Sequence, residues 1–444
     1  MLNERLFLSF RHVMYSLRGG FLVRPLIIAL ALGCAGALLS ALEETVPGLG
    51  AWTPKVLFPS RADPQVAQVV LAAIATSMMT VVSIVFAILL MTLTLASMQF
   101  SPRIIVSFAR DRVTQQTLGI FLGTFSYCVA ALPAARAVPQ PFAPVLTVLG
   151  AMLLALACVA WLLFFIHHIS QAISVNHIVD KIATETEAII DELMPEPRRV
   201  QRMTEAGLPA PSGPEGAVSS DVSGYIRFID IDRLVVLAKS YGVIVRVVRR
   251  VGHFVPAGVP LLMVSRGERL SPGRSAELRG AFDLGPTRTL QQDIQFGILQ
   301  IVDIALRAIS PAVNDPSTAI NCVDHLGRIL IRFASREETA TLRYDPPGTL
   351  RVSVPWPGFD RLVDAAFDQI RLYARADVAV SLRMLRGLGD IATTIPDAAV
   401  RQALAERGRR IVAGCAEELG EEELGELRLR LSALERLVAS PTPD

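Results

Sequence analysis

The chain has 444 residues, 52% of them hydrophobic and 19% charged, with a formal net charge of +2 and a mean hydropathy of +0.45. A water-soluble chain of this size carries about a quarter charged residues, so an ordinary soluble enzyme, a disordered chain and a disulfide-built scaffold are all disfavoured. The small net charge, without a basic stripe interleaved with aromatics, points to no nucleic-acid partner.

The charge is unevenly placed. Residues 1–170 hold 10 Lys+Arg and 5 Asp+Glu, leaving 33 and 36 for the remainder. The expected fold is therefore an α-helical membrane protein of four transmembrane helices, followed by a cytoplasmic α+β domain.

In chain order, residues 1–24 read as an interfacial amphipathic helix, with Leu6, Phe10, Val13, Leu17 and Phe21 on one side and Arg5, Arg11 and Arg18 elsewhere. The transmembrane domain covers 25–166, with spans at about 25–43, 66–100, 113–135 and 142–166. Between Asp63 and Arg103, 39 consecutive residues are uncharged. As one helix that run would reach roughly 58 Å, against a hydrocarbon core of about 30 Å. It contains no Gly, Pro, Asn or Asp for a turn between Gln65 and Ser101, so one long or tilted helix is preferred over two. Arg5, Arg11, Arg18 and Arg24 precede the first span, and Arg103, Arg110 and Arg112 separate the second from the third. The opposite side holds only Lys55, Arg61 and Arg136. The positive-inside rule then places a multi-pass protein in the cell inner membrane with both termini cytoplasmic.

Residues 167–194 read as a cytoplasmic extension of the last span, and 195–222 as a Pro-, Gly- and Ser-rich linker. Residues 223–357 form the α+β domain. Strands are expected at Tyr225–Ile229, Val243–Val248 and Val259–Val264, with a short helix around Asp232–Lys239. The run GHFVPAGVPLLMV is similar to the turn-and-strand pattern of lipoyl-like domains, which implies a small β-barrel-like element. Thr289 and Gln292 have the spacing of a capping box for a helix carrying Ile294, Ile298, Ile301 and Ala305. Asp315-Pro316 has the form of a cap for the next helix. Leu342–Tyr344 and Leu350–Val354 read as a hairpin, and 358–440 as C-terminal helices.

Four sets of residues are candidates for function. Thr76, Thr80, Ser83, Ala87, Thr94 and Ser101 fall in a narrow arc of the second span. They suit close packing of transmembrane helices before a pore lining; a homo-oligomer with the stripe on a central axis would satisfy both. Arg103, Arg110 and Arg112 stand at the cytoplasmic mouth, as anion collectors or as topological anchors. Asp293, Gln300, Asp303, Arg307, Asn314, Asp315, Asp324 and His325, with Asn321 and Arg328, form a polar set over two helices, including an i,i+4 pair at Asp303 and Arg307. They suit a ligand site or a structural network. His167, His168 and His177 flank the membrane exit without metal-ligand spacing.

Two segments are more specific than composition. One is Ser97-Met-Gln-Phe-Ser-Pro-Arg103, followed by Phe108, Asp111, Gln115 and Leu118-Gly119. The other joins Arg288-Thr-Leu-Gln-Gln-Asp293, Phe296-Gly297, Asp303-Ile-Ala-Leu-Arg-Ala308 and Ser310-Pro-Ala-Val-Asn-Asp-Pro-Ser-Thr-Ala319. Together they resemble a bacterial family of predicted membrane proteins catalogued as domain of unknown function 2254. The resemblance implies a multi-span inner-membrane protein with a cytoplasmic domain, and no transferable catalytic residues.

No charged residue sits mid-span, which counts against ion-coupled transport. No GxSxG, Walker, dinucleotide-binding or HExxH motif is present, and Cys34, Cys128, Cys158, Cys322 and Cys415 form no CxxC pair, so neither cofactor nor metal is expected. Three classes follow. The first is a passive ion- or solute-conducting homo-oligomer in the lipid bilayer, with a cytoplasmic gating or assembly domain. The second is a membrane-anchored sensor or scaffold whose cytoplasmic domain binds a ligand or protein partner around Asp303–Arg328. An enzyme comes last.

Overall fold

The structure, a computed structural model, describes residues 23–46, 63–99, 111–138, 141–172, 174–194, 214–336, 342–345 and 348–440. It divides into two units, Met1–Ser174 and Val175–Asp444. The interfacial helix expected at the N-terminus lies outside the described residues.

Among the described residues of the first unit, four helices are long and apolar enough to cross a membrane. They are α1 (Val23–Thr45), α2 (Pro64–Gln99), α3 (Arg112–Ala131, extended by a 3-10 turn at Leu132–Ala134) and α4 (Val145–Ala172). Helix α2 runs unbroken for 36 residues. Leu26, Leu30, Leu38, Val69, Ile84, Leu153 and Leu163 are exposed, Leu38 by 70% and Leu153 by 67%. A surface this apolar is unsuited to water and suited to lipid.

Lipid tails give helices no hydrophobic reason to associate, so close backbone approach does the work. Helices α1 and α3 meet at glycines from both sides. A Cβ at Gly36 would stand 2.6 Å from the Tyr127 carbonyl oxygen, and one at Gly123 would stand 2.5 Å from Leu32 Cδ1. Polar atoms inside the bundle are paired. Trp161 Nε1 donates to Thr117 Oγ1 at 2.9 Å, and the Tyr127 hydroxyl donates to the Thr147 carbonyl at 3.1 Å.

The second unit begins with α5 (Val175–Leu193). A mixed segment follows: β1 (Gly216–Ser219), β2 (Gly224–Ile229), α6 (Ile231–Tyr241), β3 (Val245–Val247), β4 (Phe254–Val255), β5 (Pro260–Val264), α7 (Pro272–Arg279) and β6 (Phe282–Gly285). Strand β1 lies inside the stretch read as a linker; its alternating Gly-Ala-Val-Ser is short but pairs with β5 throughout. Next come α8 (Ile294–Ala308), α9 (Pro316–Ala334), the hairpin β7 (Leu342–Asp345) and β8 (Thr349–Ser353), and four helices, α10 (Phe359–Tyr373), α11 (Val378–Thr394), α12 (Ala398–Cys415) and α13 (Glu421–Ala439).

The strands make two open sheets, ordered β1-β5-β3-β8-β7 and β4-β2-β6, and no closed barrel among the described residues. The expected barrel-like element fails because β4, in the middle of the lipoyl-like pattern, pairs with β2 in the smaller sheet, while β5 pairs with β1 and β3 in the larger. Strand β8 joins β3 in parallel, about a hundred residues downstream. Ile226, Leu234, Val245, Leu262 and Val352 bury the space between sheets and α6.

Short polar side chains cap α6, α7, α8, α9, α11 and α12. Asp230, Ser271, Asp293, Asp315, Asp377 and Asp397 each accept a backbone amide of the following first turn, typically a contribution of about 1 kcal/mol. Thr289 is not the cap of α8. The helix starts four residues later at Asp293, and Gln292 instead grips β2, donating to the Ile229 carbonyl at 3.2 Å and accepting its amide at 2.9 Å.

Candidate functional site

Thr76, Thr80, Ser83, Ala87 and Thr94 are all exposed in the single chain. Ala67, Leu71, Ala75, Met78 and Val85 are buried against the other helices of the unit. At about 100° per residue the two sets lie on nearly opposite sides of α2, so the stripe faces away from the described helices packed on α2. Each hydroxyl donates to the carbonyl four residues back: Thr76 to Ala72 (2.9 Å), Thr80 to Thr76 (3.2 Å), Ser83 to Met79 (2.9 Å) and Thr94 to Leu90 (2.8 Å). With the proton committed to the backbone, each oxygen presents only lone pairs outward. Ser101 lies outside the described residues.

Arg103 and Arg110 also lie outside the described residues, and Arg112 is the first residue of α3. Beside it Asp111 caps α3, accepting the Thr114 amide (2.9 Å) and hydroxyl (2.7 Å), and His168 Nε2 of α4 lies 3.0 Å away. His167 meets Gln171 of its own helix, at 3.2 Å. His177 is exposed on α5.

The polar set of α8 and α9 does not converge on one point. Asp293 is 4% exposed, takes two hydrogen bonds from Arg288 (2.8 and 2.9 Å) and accepts the Phe296 amide (3.0 Å). Burial pulls its pKa up, and the Arg288 pair opposes that. Asp315 caps α9 through the Thr318 amide (3.1 Å) and hydroxyl (2.6 Å), bonds that hold its carboxyl below the ordinary range. Its neighbour Asn314 is exposed with φ +50°. Asp324 pairs with Arg383 of α11. Arg328 bridges to α5, with Asp180 at 2.8 Å and Glu187 at 2.9 Å, and Asn321 donates to Asn176 at 3.1 Å. His325 is half-buried, its Nδ1 has no partner among the described residues, and burial pushes its pKa down. Gln300 is buried and Asp303 half-buried on α8, while Arg307 is exposed.

Two polar features had no local signal in the sequence. Glu43, 6% exposed near the end of α1, accepts the amides of Leu146 (2.8 Å) and Thr147 (3.2 Å) and the Thr147 hydroxyl (3.1 Å), capping α4 from another helix. In the second unit Arg250 and His253 gather beside Asp293. The only sequence hint was a paired arginine next to a Gly-His turn.

The family model that matches the chain describes a predicted membrane protein (DUF2254) and covers residues 18–390. Uncharacterized proteins of Mycobacterium bovis and Mycobacterium tuberculosis are 33% identical over 431 residues, which is 95% of this chain and 80% of theirs. No solved structure matches.

Proposed function

We propose, for a chain that belongs to the DUF2254 family of predicted membrane proteins, that several copies assemble in the bilayer and pass a small ion or solute along the exposed stripe of α2. The observation that carries this reading is the two-sidedness of α2. One side packs its own bundle, and the opposite side offers hydroxyl oxygens at Thr76, Thr80, Ser83 and Thr94 in place of bulk. Small residues let neighbouring helices approach, and a row of lone pairs suits a weakly held cation or a hydrogen-bond-donating solute. The loop arginines Arg103, Arg110 and Arg112 support an inner-membrane orientation with cytoplasmic termini.

The test is flux. Purified protein in liposomes is expected to pass an alkali cation or a small neutral solute. Thr80→Leu with Ser83→Leu is expected to cut the rate by about tenfold, since each replaces a polar oxygen with a bulky apolar group. Tight liposomes across that series would remove the reading. A membrane-anchored sensor is the second reading, and it draws its support from the half-buried Arg250 of the second unit, whose hydrogen bonds go to His253 and Gln295.

A further inference from the structure

The turn between β3 and β4 carries guanidinium groups that outnumber the carboxylates around them. Arg250 is half-buried, and its two hydrogen bonds go to neutral acceptors: Nε donates to His253 Nε2 at 3.0 Å and Nη2 to Gln295 Oε1 at 3.0 Å. Among the described residues no carboxylate forms an ion pair with Arg249, Arg250 or Arg361, and the nearby Asp293 already pairs with Arg288 at 2.8 Å. The positive field is concentrated here. His253 is pushed down to about 4, by burial first and then by Arg250, Arg249, Arg361 and Arg288.

Arg250 opens onto a shallow, solvent-open recess whose other walls include Asp293, Gln295, Ile294, Pro355 and Trp356. Its frame is rigid. Gln292 ties the start of α8 to β2, and the turn sits so close to Asp293 that a Cβ at Gly252 would be 2.3 Å from its Oδ2, at φ +85°. A half-buried, preorganised guanidinium with unused N–H groups is an ordinary recognition element for oxyanions. Several unpaired positive charges favour a dianion over a single carboxylate.

We propose that this recess binds a phosphate-bearing small molecule with an apolar portion, the phosphate on the free N–H groups of Arg250 and the apolar portion against Trp356 and Ile294. Phosphate of this kind is carried both by soluble phosphorylated compounds and by anionic lipid headgroups. The site stands independently of conduction, since binding and flux are measured separately.

Titration calorimetry of the full-length protein in neutral detergent tests it with two probes, phenyl phosphate and dihexanoyl phosphatidic acid, against zwitterionic dihexanoyl phosphatidylcholine. Saturable binding of at least one phosphate probe is expected, with the control silent. Arg250→Gln should weaken binding by about tenfold to a hundredfold, the range of a lost charge-assisted contact. Arg274→Gln, elsewhere on the same unit, should change nothing. Phenyl phosphate alone would identify a soluble ligand, and phosphatidic acid alone a lipid headgroup. Absence of saturable binding with both probes overturns the site, as does Arg250→Gln binding like the parent or Arg274→Gln weakening equally. Should Arg250→Gln not fold, the exposed Arg361→Gln takes its place: a severalfold loss supports the site, and unchanged affinity overturns it.

Discussion

The two units hold their helices together by opposite means. In the first, α1 and α3 are joined by glycines set against backbone, as at Gly36 and Tyr127. Between α5 and α9 of the second, guanidinium and carboxylate groups run along the contact: Arg328 with Asp180 and Glu187, then Arg332 and Arg336 with Asp191. The solvent decides which works. Lipid offers no gain for burying apolar surface, so contact must come from steric fit. Water rewards apolar burial, and an ion-paired rim beside it contributes little by itself.

The sharpest way to break that contrast is to fill a glycine in the membrane unit. Gly36→Val would drive side-chain carbon into the Tyr127 carbonyl, which cannot move without the helix. A loss of about 3 kcal/mol or more is expected, the upper range for overpacking. Unfolding in bicelles would show it, and a silent substitution would mean that α1 and α3 do not meet as described.

A smaller effect tests whether the aqueous unit borrows the same device. A Cβ at Gly297 of α8 would lie 2.1 Å from Thr186 Oγ1 of α5. Gly297→Ala is expected to cost about 1–3 kcal/mol. Adding Thr186→Ala removes the offending oxygen and should recover much of it. Thermal melts of the single and double variants decide the matter; two independent losses would contradict the close approach.

The smallest effect belongs to the ion-paired rim. Arg332→Ala should cost less than about 1 kcal/mol at neutral pH. The hydrogen bond from Arg332, and then those of Arg336, hold Asp191 below the ordinary carboxylate range. A depressed carboxyl contributes stability that is present above its unfolded pKa and lost as pH falls through the folded one. Stability should therefore fall on acidification below about pH 4, and Arg332→Ala should flatten that fall. An acid titration identical in parent and variant would show that the pair carries nothing.

How far the chain could be read in advance follows the same division. The apolar helices were legible because lipid excludes charge, and a run such as 64–102, without a single charged residue, is hard to place anywhere but a bilayer. Asp315-Pro316 was legible because a cap is local. Thr289 and Gln292 misled because capping-box spacing is also local, while Gln292 is claimed by Ile229, 63 residues away. The barrel-like expectation failed for the same reason: β4 and β5 are adjacent in the chain but belong to different sheets. Of the candidate site, the stripe was visible as a periodicity, but its outward direction was not. The polar set was visible as composition, although partners on α5 and α11 for Arg328 and Asp324 were not. Arg250 and Trp356 lie about a hundred residues apart and meet only through the fold.

One contact sets a timetable for biogenesis. Glu43 and its partners at Leu146 and Thr147 are separated by 103 and 104 residues. At synthesis rates of roughly 5–20 residues per second, the first helix waits on the order of 5–20 s before the fourth emerges. Throughout that interval its carboxylate must stay hydrated at the bilayer surface, take up a proton, or be sheltered by the insertion machinery. The nascent chain is thus most vulnerable to quality control before its last hydrophobic segment arrives.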